Sequence, residues 1–172
     1  TISVFSRAST SQGVADGAGP CLVLRAPATN PNLSDAYNWR ISTPAGVLPV
    51  SGDALRYSAW KTANGVPDDS TDADNDGLLP LVEYALGANP GEPALSVLPQ
   101  PDGSVTIQFS RSLNADDVRW LVESCDDLGG WTAVPAVIQS RGFTANSEDL
   151  TVSVPASVDR RRFLRMRFIQ VP

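Results

Sequence analysis

The sequence predicts a mainly β chain, a small antiparallel β-sandwich joined to a short helical, EF-hand-like calcium hairpin. Three observations predict it. From Leu95 onward apolar residues recur at every second position, as in Val105, Ile107 and Phe109, the period of strands with one buried face. The 13 Gly and 14 Pro among 172 residues favour turns and short elements over long helices. Asp72-Ala-Asp74-Asn-Asp76-Gly77-Leu-Leu-Pro80-Leu-Val-Glu83 fits the D-x-D-x-D-G-x5-E spacing of an EF-hand-type calcium loop.

Residues 1–50 read as strand and loop. Ile2 and Val4 alternate with Ser3, and Thr1 to Ser6 is expected to pair with a sheet edge, its own or a neighbour's. Cys21-Leu-Val-Leu24 is a short apolar run entered through Gly19-Pro20, and Asn30-Pro31-Asn32 marks a turn. Trp39, Trp60, Trp120 and Trp131 are read as packing residues in preference to platforms for a sugar ring, because lone tryptophans mostly bury area.

Asp53 is the expected N-cap of a helix over Ala54 to Ala63, with Leu55, Ala59 and Trp60 near one face and Gly65 beyond its end. A second helix is expected from about Leu79 to Leu86, with Pro80 in its first turn and Gly87 as its stop. Between them lies the acidic loop. Asp72, Asp74 and Asp76 can surround one hard cation, Gly77 permits the sharp turn, Leu78 offers its carbonyl, and Glu83 closes the site with two oxygens. Without an ion, Asp68, Asp69, Asp72, Asp74 and Asp76 would repel one another, since Lys and Arg are absent between Lys61 and Arg111. The connector Val66 to Thr71 makes the entering side looser than in a standard hand, and leaves Asp68 or Asp69 as an added ligand. Pro80 stands at the ninth loop position without a side-chain oxygen, so the expected affinity is the weak extracellular range, about 10⁻⁵ to 10⁻³ M.

The remaining chain reads as strands. Val118, Trp120 and Val122, then Leu150, Val152 and Val154, then Leu164, Met166 and Phe168 follow the first alternating set. Asp102-Gly103, Asp126 to Gly130 and Asn146-Ser147 separate them as turns. Arg160, Arg161, Arg162, Arg165 and Arg167 are read as a strand's solvent side in preference to a site for an anionic polymer, since alternation accounts for two of the five. Boundaries near Val50 and Pro93 divide the chain into a β segment over 1–50, helix, calcium loop and helix over 51–93, and an antiparallel sandwich over 94–172.

Composition narrows the function. The 42% hydrophobic content suffices for a packed core in one domain or two small ones. Lys and Arg total 13 against 19 Asp and Glu, a net charge of −6, and nucleic-acid binding is disfavoured because it needs a basic face. No run approaches the ~18 apolar residues of a membrane span, and a chain opening on Thr1 with no secretory leader is expected to be a mature product or a fragment. With no His, neither a Ser/His/Asp triad nor a Cys/His nucleophile can be built within the chain, and a zinc site is disfavoured. Cys21 and Cys125 are left as a disulfide or two buried thiols.

Tyr57-Ser-Ala-Trp60, the loop from Asp72 to Gly77, and Glu83-Tyr-Ala-Leu-Gly87-Ala-Asn-Pro90 together resemble the C-terminal region of large secreted bacterial proteins, notably of Verrucomicrobia and Planctomycetes. The loop is similar to dockerin and thrombospondin calcium repeats. Val122-Glu-Ser-Cys125-Asp-Asp-Leu128-Gly-Gly-Trp131 resembles a strand and turn of the β-domain that closes such proteins, and Arg162-Phe-Leu-Arg165 its final strand. Asp16-Gly-Ala-Gly-Pro-Cys21-Leu-Val-Leu24 with Asn38-Trp39-Arg40 resembles the end of a bacterial lamin-tail-like β-domain. The resemblance covers most of the chain and implies an extracellular or cell-surface, non-catalytic module ending a longer polypeptide. Pro80, where such loops often carry Asn, and the two cysteines depart from it, and two cysteines in an exported chain favour a Cys21–Cys125 pair.

The expected function is an extracellular, calcium-stabilised structural or adhesion module, with Ca2+ as its cofactor and other protein subunits, cell-surface polymers or carbohydrate as partners. The rivals are a carbohydrate-binding accessory module, which exposed coplanar tryptophans would favour, and an extracellular filament subunit using strand addition. An enzyme with paired carboxylates is disfavoured, since the dense carboxylates match a metal loop and no separate acid and base stand out.

Overall fold

A computed structural model of the chain describes residues 22–25, 27–35, 38–42, 55–72, 74–87, 95–144, 146–157 and 162–171. The expectations placed on Thr1 to Ser6, Cys21, Asp53, Arg160, Arg161 and the boundaries at Val50 and Pro93 lie outside these residues. In chain order come β1 (Leu22–Leu24), a 3-10 turn (Pro27–Thr29), β2 (Trp39–Ile41), α1 (Tyr57–Asn64), α2 (Pro80–Leu86), β3 (Leu95–Pro99), β4 (Val105–Ser112), β5 (Val118–Cys125), β6 (Thr132–Val134), β7 (Val137–Phe143), β8 (Ser147–Val154) and β9 (Phe163–Gln170). The described chain is therefore mainly β with two short helices, as the sequence predicts, and every strand pairing is antiparallel. No helix among the described residues is long and apolar enough to cross a membrane.

The strands form a small β1-β2 sheet, a four-stranded sheet in the order β3-β4-β8-β7 and a three-stranded sheet in the order β6-β5-β9. Register explains the core. Ile107 stands opposite Val152 and Phe109 opposite Leu150, while Trp120 stands opposite Phe168 and Val122 opposite Met166. Side chains paired in this way share a sheet face, so the alternating apolar residues gather on one side of each sheet. The two apolar sides meet: the rings of Phe109 and Trp120 pack edge to face at 5.1 Å and 82°. Ile107, Phe109, Trp120, Val122, Leu150, Val152 and Val154 make one buried cluster with Leu86 of α2, and Leu164, Met166 and Phe168 pack against it. Two antiparallel sheets over one core fit the expected sandwich.

A second cluster fastens the helices. Tyr57 and Tyr84 are buried with Ala85, Ala115 and Val118, and Trp60, Leu81 and Phe168 pack around them. The Tyr57 and Tyr84 rings lie 5.3 Å apart, and Trp60 stacks 6.0 Å from Tyr57. α1 starts at Tyr57, three residues later than expected, and Arg56 at its N-cap makes no side-chain capping bond. Its first N–H is instead taken by Asp117, whose carboxylate oxygens accept from Tyr57 N–H at 3.2 and 3.1 Å. A distant carboxylate thus does the work expected of a local cap. α2 ends as expected: Gly87 adopts φ +61 and donates its N–H to the Glu83 carbonyl at 2.8 Å, a left-handed position that suits glycine.

Of the four tryptophans read as packing residues, Trp120 is buried and Trp39, Trp60 and Trp131 are half-buried, with Trp60 packed against the second cluster. Trp120 lies in the core, Trp39 donates its ring N–H to the Leu33 carbonyl at 2.9 Å, and Trp131 carries Arg165 over its ring at 4.2 Å. Arg165 and Arg167 do alternate to the solvent side of β9, but both bind Glu123 of β5. Cys125 is a buried thiol, and its expected partner Cys21 lies outside the described residues. The β1-β2 sheet is held at the Asp116 end of β5.

Candidate metal centre

The acidic loop between the helices is folded by its own aspartates. Asp76 accepts the N–H of Leu78 at 2.8 Å, Asp74 accepts that of Asp76 at 3.4 Å, and Asp72 reaches across the turn to the N–H of Gly77 at 2.9 Å. Short acidic side chains make such bonds to backbone two residues on, which curls the chain without help from elsewhere. Two left-handed positions tighten the curl, Asn75 at φ +59 and Gly77 at φ +91. A Cβ on Gly77 would meet nothing within 4 Å, so this glycine is required by its backbone angle and not by crowding.

The curl brings one carboxylate oxygen each from Asp72, Asp74 and Asp76 within 4.8 Å of one another, a group able to hold a metal ion. Asp72 Oδ1 is buried and has no hydrogen-bond partner, although Oδ2 of the same group is satisfied by Gly77. A buried carboxylate oxygen without a donor is costly unless a cation meets it. Glu83 stands in the first turn of α2. Burial pushes its carboxyl above the ordinary carboxylate range, and the charges of Asp74, Asp76 and Asp72 push it further in the same direction. Four carboxyl groups therefore share one electrostatic environment. Leu78 sits among them with its N–H bound to Asp76.

Asp68 and Asp69, weighed as added ligands, are committed elsewhere. Asp68 accepts from the Ser70 N–H, the Ser70 hydroxyl and the Thr71 hydroxyl, which hold its pKa down at about 2. Asp69 accepts from Lys61 Nζ at 2.7 Å and the Tyr57 hydroxyl at 2.9 Å, and these bonds also lower its pKa. Lys61 is thus the counter-charge that the linear sequence hides, and it serves Asp69 and leaves Asp72, Asp74 and Asp76 to one another. Those three aspartates offer only oxygen donors, and Glu83 is not part of their group.

Sequence reasoning missed a second polar assembly. Glu148 of β8 is 0% exposed and accepts from Arg111 Nε at 2.6 Å, from Arg25 Nη2 at 3.1 Å and from Arg141. Asp116 accepts from Arg40 at 2.7 and 2.9 Å and from Arg25 at 3.4 Å. Asp117 accepts the Tyr84 hydroxyl as well as the Tyr57 N–H. The signal was in the alternation: Glu148 shares a strand face with Leu150, Val152 and Val154, and Arg111 shares one with Ile107 and Phe109. A charged residue at an inward position announces a buried partner. Comparison of the chain with protein-family models, with curated proteins and with solved structures finds no match.

Proposed function

We propose that the chain is an extracellular, calcium-stabilised structural or adhesion module. Its Ca2+ is held by Asp72, Asp74, Asp76, the Leu78 carbonyl and Glu83 in an EF-hand-like arrangement of α1, loop and α2. The observation that carries this reading is the meeting of three loop carboxylates around the unpartnered Asp72 Oδ1, with Glu83 in their field. The spacing of the loop and its oxygen-only donors favour calcium over other divalent ions. Bound there, the ion supplies positive charge that links the loop to the first turn of α2. Because Leu86 of α2 is part of the main core, that link bears on the whole fold. Titration with calcium, followed by calorimetry, tests the reading: one site is expected, lost in Asp74→Asn. No heat up to about 10 mM calcium would refute it.

One observation favours the rival reading, a filament subunit assembled by strand addition. Among the described residues β3 is an edge strand, exposed along its whole length, with Leu95, Val97 and Leu98 among the exposed large apolar residues. Unprotected apolar edges accept further strands. Light scattering across a range of concentrations separates the readings, since only a filament subunit grows large assemblies that Val97→Lys abolishes. The carbohydrate reading lacks the exposed, coplanar tryptophans that would favour it.

A further inference from the structure

A cavity of about 670 Å³ opens beside the buried charge assembly, away from the acidic loop, within the size range of small-molecule sites. Arg25, Arg111 and Arg119 line it, together with Asn30, Asp116 and Trp120. Arg25 and Arg111 are each only 5% exposed. Their neutralisation is incomplete. Both bind the same oxygen of Glu148, Oε2, whose other oxygen serves Arg141. Asp116, the second carboxylate in reach of Arg25, is gripped on both oxygens by Arg40. Arg25 Nε is buried with no hydrogen-bond partner. Arg111 donates to Glu148 through Nε, which leaves its paired terminal nitrogens without an acceptor among the described residues. Burial and the neighbouring Arg111 both pull the Arg25 pKa down, the mark of crowded positive charge.

We propose that this cavity binds a small organic carboxylate. The guanidinium of Arg111 presents two parallel donors in a planar fork, which matches the two oxygens of a carboxylate better than a tetrahedral anion or a neutral hydroxyl. Arg119, exposed on β5 at the rim, adds a second cation, and Trp120 offers an apolar wall for the carbon skeleton. The free acid and the same group carried on a polymer share this chemistry. The site uses none of the loop ligands, so it stands or falls independently of calcium.

The test is calorimetric titration of the whole chain with D-galacturonate, with D-galactose as the neutral match of the same shape, and with sulfate and phosphate as tetrahedral anions. Galacturonate is expected to bind, galactose not, and the tetrahedral anions at least tenfold more weakly. Arg119→Ala, a surface change that spares the core, is expected to weaken binding by about tenfold. Arg111→Lys, which keeps the charge and removes the fork, should weaken it at least as much in protein whose melting curve shows it folded. A pectic polymer binding more tightly per residue than the monomer identifies the polymer as the source, and equal binding identifies the free acid. The proposal is overturned by no galacturonate binding up to about 10 mM, by equal binding of galactose or sulfate, or by affinities unchanged in both variants.

Discussion

Glu148 is the residue on which most of the buried charge turns. Burial alone would raise its carboxyl pKa, but Arg111, Arg141 and Arg25 together outweigh that and hold it below the ordinary value. A folded-state pKa lower than the unfolded one, about 4.3, gives stability that is present above pH 4.3 and disappears as pH falls through the folded value. The melting temperature should therefore hold from neutrality to about pH 5 and decline below 4, and Glu148→Gln should flatten that decline. The same variant should cost about 3–5 kcal/mol at neutral pH, since it removes the buried negative charge that Arg25, Arg111 and Arg141 share, measurable by urea denaturation. At this scale the sequence was half legible. The grouping of Asp72, Asp74 and Asp76 could be read because the three are near neighbours in the chain. Glu148, Arg111 and Asp117 could not be matched with partners, because those come from strands and helices far away in sequence.

Among the elements, the strands with a strict period were visible and the others were not. β4, β5, β8 and β9 each bury alternate residues against a facing sheet, so their pattern is set by one boundary between core and water. β7 lacks that pattern because its register shifts between Ile138 and Ser140, and an irregularity of one residue inverts everything after it. β3 is too short and too exposed for burial to leave a mark on it. The pair Val97 and Ile107 makes the contrast measurable, since the two stand directly opposite in neighbouring strands. Ile107 is 3% exposed and Val97 50%. Ile107→Ala is expected to cost about 2–5 kcal/mol and Val97→Ala within about 0.5 kcal/mol, as read from denaturation midpoints. The helix ends were legible from Gly65 and Gly87, while the start of α1 was not, because Asp117 caps it from outside the local sequence.

At the scale of the whole molecule, the proposed ion is expected to act as a ligand of the folded state alone. With free calcium at 100 times its dissociation constant, binding adds about 2.7 kcal/mol, so excess chelator should lower the melting temperature by several degrees. A melting curve indifferent to chelator would remove calcium from the account of stability. The two-sheet body was readable from pattern, whereas the seat of β1 and β2 was not, for Arg25 reaches Asp116 and Glu148 across 91 and 123 residues. That span governs the order of events when the chain is made. Arg25, next to β1, is anchored by Glu148 of β8, made 123 residues later, and contacts so distant in sequence form slowly. The β1-β2 pair must wait for that anchor until β8 exists. A chain cut short before Ser147 would keep its acidic loop and lose that anchor, and its Arg40 and Ile41 amides should then exchange with deuterium far faster than in the full chain.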